Sequence, residues 1–132
     1  MQLDINKSSL DKMGALYGDE NLGSMLEKLA LINRPMAELI VNHGFDKVID
    51  RPGLSYRDRE IATLSLIVAQ RDEEQLRVHT RNGIRAGLTI EQLQELALHW
   101  TLYIGYPQAI WGMKIIYDEY QQSCSGKSAT PS

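Results

Sequence analysis

The chain has 132 residues, 43% of them hydrophobic and 23% charged, with a formal net charge of −3. This is the profile of a folded domain with its own core, not of a disordered chain. The weak acidity and lack of like-charge blocks argue against nucleic acid as main partner, and no apolar run is long enough for a membrane span. The single cysteine, Cys124, excludes an intramolecular disulfide and any CxxC redox pair. The opening "MQLDINKSSL" shows neither an apolar signal core nor an Arg-rich amphipathic pattern, so a cytoplasmic setting is expected.

Prolines and glycines fall between the periodic segments, which reads as an all-α chain. The expectation is a single-domain bundle of about six helices over residues 1–122. Ser8 and Asp11 suggest a short helix over 8–17; "YGDENLGS" (17–24) reads as turn, and another short helix as 24–31. Pro35 suits the first turn of a helix reaching about Ile49, and "DRPGLS" (50–55) breaks it. Ser55 caps the next helix, with Asp58 at its third position, and Ile61, Leu64 and Val68 mark a buried face. Asp72 and Gln75 open the following helix, which Gly87 closes. In "LTIEQL" (88–93), Thr89 and Gln92 form a capping box and Leu88 and Leu93 a hydrophobic staple; that helix reaches about Tyr103. "YIGYP" turns the chain, and Pro107 opens a last helix with Ala109, Met113, Ile116 and Tyr120 inward. The small, polar end (123–132) reads as a mobile tail, and no internal repeat is visible.

Two residues stand out chemically. Glu60 shares a helix face with Leu64 and Ile67, where lost hydration suits a carboxylate to acid–base work. The plainer reading is a first-turn glutamate favoured by the helix dipole or paired with Arg57 or Arg59. His79 shares its face with Leu76 and Gly83, where an imidazole can move protons or simply bond a backbone carbonyl. His99, beside Trp100, suits a helix interface, and His43 a partly exposed position. The histidines have no H-x-x-x-H or H-E-x-x-H spacing, so no metal is expected. Arg77, Arg81 and Arg85 form a basic stripe, read as a solvated face pairing back to Glu73 and Glu74. Neither Ser55 nor Ser65 has a nucleophile-elbow context.

Four blocks together resemble the carboxymuconolactone decarboxylase family, which includes the alkylhydroperoxidase-D-like proteins. They are "RPGLSYRDREIATLSLIVA" (51–69), "EQLRVHTRNGIRAGLTIEQLQEL" (74–96), "ALHWTLYIGYPQA" (97–109) and the helix that follows, within about 33–121. The resemblance implies an all-α fold with a central antiparallel helix pair, assembly into homotrimers or hexamers, and sites near subunit contacts. Glu60 matches the family's glutamate after arginine, and His79 the histidine of its L-R-x-H block. His99 falls where members often carry histidine or glutamine, and Gly105 and Pro107 match the turn after Tyr103. The sequence departs from the family in two places. The peroxidase branch's two cysteines are here Asp72 and Gln75, so its thiol chemistry cannot operate. After the proline, "GYPQAIWGM" carries Ile110 and Trp111 where decarboxylase-like members tend to have small or polar residues. Trp111 is compatible with pocket lining for a bulkier substrate or with a subunit contact.

The resemblance therefore implies a cofactor-free lyase or isomerase acting on a small anionic cyclic or unsaturated acid, with decarboxylation of a carboxymuconolactone-like compound the first candidate. His79 would move the proton, Glu60 would orient or tune His79 or take a proton itself, and His99 would be a second donor. Arg59, Trp100, Tyr103, Ile110 and Trp111 would contact substrate. The alternatives are a non-catalytic oligomeric ligand-binding module and a peroxidase-like protein using Cys124 as a thiol supplied in trans.

Overall fold

A computed structural model describes residues 2–125, and among them there is helix but no strand. Two compact units divide between Tyr56 and Arg57.

The first unit holds α1 (Lys7–Tyr17), α2 (Asp19–Ile32) and α3 (Arg34–Leu39), which runs into a π-helical segment, Ile40–Ile49. The α1 cap is Asn6, whose side chain accepts from the Ser9 N–H at 3.0 Å, in place of the expected Ser8 start. α2 corrects the expected turn over 17–24. Gly18, at φ 90°, turns the chain in one residue, and Asp19 and Glu20 then favour the positive end of a helix five residues longer at its start. Asn33 caps α3 through the Met36 N–H, with Pro35 in the first turn as expected. Met13, Leu16, Leu22, Leu26, Val41 and Phe45 are buried. Asp50 ties down the following loop, accepting from Lys12 Nζ at 2.9 Å and from the Tyr56 hydroxyl at 2.5 Å. Those two donors, Tyr56 first, hold the Asp50 carboxyl below its ordinary range. Burial and the neighbouring carboxylate push the Tyr56 hydroxyl up to about 12.

The second unit is built from α4 (Tyr56–Gln70), α5 (Glu73–Arg85), α6 (Ile90–Ile104) and α7 (Tyr106–Ser125). With α1 to α3, this makes seven α-helices among the described residues where about six were expected. Ser123–Ser125 extend α7 into the expected tail, and residues 126–132 lie outside the described part.

The capping reading of α6 is realised in both bonds: Gln92 N–H to Thr89 Oγ1 (3.1 Å) and Thr89 N–H to Gln92 Oε1 (3.0 Å). Leu88 and Leu93 of the staple are both buried. Leu64, Val68, Leu76, Trp100 and Ile116 belong to one apolar cluster. α7 comes very close to α4 at Gly112, where a methyl group would sit 2.5 Å from Val68 Cγ2. Near this contact, Gln108 Nε2 donates to the carbonyls of Val68 (2.7 Å) and Ala69 (3.1 Å) in the last turn of α4, the Val68 oxygen also accepting from the Arg71 N–H at 3.2 Å. Arg71 and Asp72 join α4 to α5. Arg71 is the only non-glycine residue with positive φ (60°) among the described residues, and its guanidinium lies 4.6 Å from the Trp111 ring.

Candidate active site

The junction returns the chain so that α5 carries His79 back to Glu60 of α4. Glu60 Oε1 and His79 Nδ1 are 2.9 Å apart, with side chains 6% and 13% exposed. Glu60 lies on the apolar face its spacing implied, with Leu64 and Ile67 buried beside it in sequence register. Gly83 lies one turn beyond His79; a methyl group there would make an ordinary contact with Glu60 Cβ at 3.7 Å but crowd Leu88 Cδ1 at 2.9 Å. A carboxylate only accepts hydrogen bonds, so His79 Nδ1 is the donor and Nε2 becomes the nitrogen at which a proton can be taken up or released. Removal from water strengthens this contact relative to a surface pair.

The other expected site residues fall in several places. Arg59 precedes Glu60 and is half-buried, with Nε inside the fold. Its neighbour Arg57 pairs with Asp58 at 3.1 Å. His99 is exposed and stacks at a tilt on Tyr103, 5.2 Å between ring centres. Trp100 is 3% exposed; its Nε1 donates to Ser65 Oγ at 2.9 Å, and that hydroxyl donates to the Ile61 carbonyl. Ile110 lines a groove of about 350 Å³ between α6 and α7, with Leu98, Thr101, Tyr106 and Met113. Trp111 is half-buried under Arg71. His43, expected at a partly exposed position, is exposed.

The basic stripe corrects the reading of a solvated face. Arg77 does reach Glu73 (3.1 Å), but it also binds Asp118 (2.8 Å) and Glu119 (3.1 Å) of α7, and Arg81 binds Glu119 at 3.0 Å. These carboxylates, Asp118 foremost, raise the basicity of Arg77, while Arg77 lowers the Asp118 carboxyl. Glu119 is 5% exposed and was missed. A signal was present, since Glu119 follows Ile115 and Ile116 at helical spacing and so lies on the apolar side of α7. A buried acid there demands a cationic partner.

Asp72 and Gln75, at the thiol positions of the peroxidase branch, serve as a helix start: Asp72 Oδ1 accepts from the Gln75 N–H at 3.1 Å. Among the described residues no three His, Cys, Asp or Glu side chains gather as metal ligands, and no helix is long and apolar enough to cross a membrane.

A model of the carboxymuconolactone decarboxylase family matches residues 34–118, which include both Glu60 and His79. The chain belongs to the carboxymuconolactone decarboxylase family. A 4-carboxymuconolactone decarboxylase of Acinetobacter baylyi is 32% identical over 101 residues, covering 76% of this chain and 75% of the relative. A nitrosuccinic acid decarboxylase of Metarhizium robertsii is 35% identical over 98 residues, covering 74% and 68%. The family assignment agrees with the resemblance drawn from the L-R-x-H and G-x-P blocks.

Proposed function

We propose that this protein is a carbon–carbon lyase that decarboxylates a small anionic acid without a cofactor, using His79 as proton carrier and Glu60 to orient it. The observation that carries the reading is the 2.9 Å contact between two nearly buried side chains on adjacent helices. Membership of a family whose two named relatives are decarboxylases supports it.

In the proposed step the bond between the substrate carbon and its carboxylate breaks, and the electron pair stays on that carbon. A neighbouring electron-withdrawing group delocalises the pair as an enolate-like anion, and carbon dioxide leaves. A proton from His79 Nε2 then quenches the anion, and solvent restores the proton. Glu60, accepting from Nδ1, stabilises the imidazolium form that donates. Arg59 is the first choice to hold an anionic oxygen, and His99 a second donor. The relatives' names describe two different acids, a carboxymuconolactone and nitrosuccinic acid, so electron withdrawal beside the carboxylate is a better guide to the substrate than one carbon skeleton.

The protein is proposed to work as a homo-oligomer. Leu98, Leu102, Tyr103, Tyr106 and Ile110 expose half or more of their surface on α6 and α7. At ~200 Å² per tyrosine the two rings alone show roughly 300 Å², and monomers rarely leave apolar patches much larger than a few hundred Å². A second reading, a non-catalytic ligand-binding module, is favoured by the apolar groove at Ile110.

The test is carbon dioxide release from 4-carboxymuconolactone and from nitrosuccinic acid by wild type, His79→Ala and Glu60→Gln. A rate lost in His79→Ala and reduced by about 10²-fold in Glu60→Gln, with folding and assembly unchanged, supports the lyase. Ligand binding without turnover, retained in both variants, supports the module instead.

A further inference from the structure

The proposed chemistry depends on the orientation of one ring, and α5 carries a second, part-buried polar link that the reaction does not use. Glu119 of α7 receives Arg81 Nη1 on Oε1 at 3.0 Å and Arg77 Nη1 on Oε2 at 3.1 Å. Arg77 and Arg81 are one helical turn apart, so a single carboxylate grips α5 at two points about 6 Å apart along its axis. His79 lies two residues from each arginine, about 200° around the helix, on the opposite side. α5 is thus held from two faces by two buried glutamates, Glu60 through His79 and Glu119 through the arginines.

We infer that Glu119 is a positioning residue for His79: its two-arginine grip sets the rotation and axial register of α5 at which the imidazole meets Glu60. Glu119 is buried but the arginines are 30% and 34% exposed, so desolvation of the acid and solvent screening of the cations offset much of the attraction, and the main effect of the link is geometric. A rotation of about 20° at a side-chain radius of about 6 Å moves the ring by about 2 Å. That displacement breaks a 2.9 Å hydrogen bond. Asp118 and Glu73 also hold Arg77, whereas Arg81 relies on Glu119 in the same network. Loss of Glu119 therefore frees the Arg81 end of the grip first, two residues from His79.

The inference rests on the proposed role of the Glu60–His79 pair, and the experiment separates the two. The full chain, carrying ¹⁵N-labelled histidine, is prepared as wild type, Glu60→Gln, Glu119→Gln and Arg81→Met. In wild type, the His79 Nδ1–H should give a slowly exchanging low-field proton signal, which Glu60→Gln removes or shifts upfield. The expected result is that Glu119→Gln and Arg81→Met, still folded, also lose or shift that signal. In the decarboxylation assay they should lower kcat about tenfold with KM changed less than twofold. A lower melting temperature with the signal unchanged would overturn the inference and leave Glu119 as scaffolding alone. Should Glu119→Gln not fold, Arg81→Met and Glu119→Asp decide by the same signal. If no variant, wild type included, turns over either acid, the lyase reading fails while the signal still decides the positioning role.

Discussion

Replacing Gly112 by alanine sets two opposing effects against each other. Inside a helix, glycine to alanine is worth about 1 kcal/mol in favour of the folded state. Against it stands the Val68 methyl, 2.5 Å from where the new Cβ would be, when comfortable carbon–carbon contact needs about 3.5–4.0 Å. Val68 is fully buried and β-branched, so its Cγ2 cannot swing aside cheaply, and Trp100 (3.6 Å) and Leu76 (3.8 Å) close the other sides. Overpacking of this kind costs about 1–3 kcal/mol, and the severity of the overlap places it in the upper half. The net expectation is destabilisation by about 1–2 kcal/mol, a fall of roughly 2–8 °C in Tm. Removing the obstructing methyl should reverse the sign: in a Val68→Ala background, Gly112→Ala should stabilise by up to about 1 kcal/mol. The cycle coupling should then be about 2–3 kcal/mol, measured by urea unfolding of the four proteins at one protein concentration. A Gly112→Ala protein as stable as wild type, or the same loss in both backgrounds, would show that α4 and α7 do not meet this closely.

Two further outcomes follow from local contacts. Gln108→Leu removes the donor to the Val68 and Ala69 carbonyls, and should cost about 1 kcal/mol while speeding amide hydrogen exchange at the end of α4 roughly fivefold; unchanged exchange there would contradict the contact. With its folded pKa raised to about 12 from about 10, Tyr56 contributes stability below pH ~10 that is lost as pH rises toward ~12, because the unfolded chain ionises first. In an ultraviolet titration of the six tyrosines, Tyr56 should ionise late, as should Tyr120, which a hydrogen bond with Cys124 also raises; Tyr56→Phe should diminish the late phase, and a late phase of unchanged amplitude would contradict the Asp50 contact.

The helices most open to sequence reading were those with complete local signals. Thr89, Gln92, Leu88 and Leu93 state the start of α6 within six residues, and Asp72 does the same for α5. α2 was cut short because its start rests on Gly18, which offers no capping side chain, and the run "DEN" reads equally well as turn. The change to π-helical turns after Leu39 left no mark that apolar periodicity could detect. At the site, Glu60 and His79 could each be singled out by their apolar neighbours, but the sequence could not measure the distance between them. The partner of Arg81 lies 38 residues away, so the arginine spacing pointed to near neighbours while the decisive acid was on α7. The partner of the Trp100 indole N–H is likewise distant, Ser65, 35 residues earlier, and spacing along α6 alone could not name it.

The junction at Arg71 carries a further consequence. A side-chain-bearing residue in the left-handed region costs roughly 1–2 kcal/mol, and stacking of its guanidinium on Trp111 offsets about half of that. The bend that aims α5 back along α4 is therefore held slightly sprung, by a residue that lies between Glu60 and His79 in sequence. Glycine at this position would relax the bend, while proline, confined to negative φ, could not make it at all. Residue 71 is thus the corner post of the hairpin: its one left-handed backbone setting, braced by an indole, turns the chain from α4 into α5.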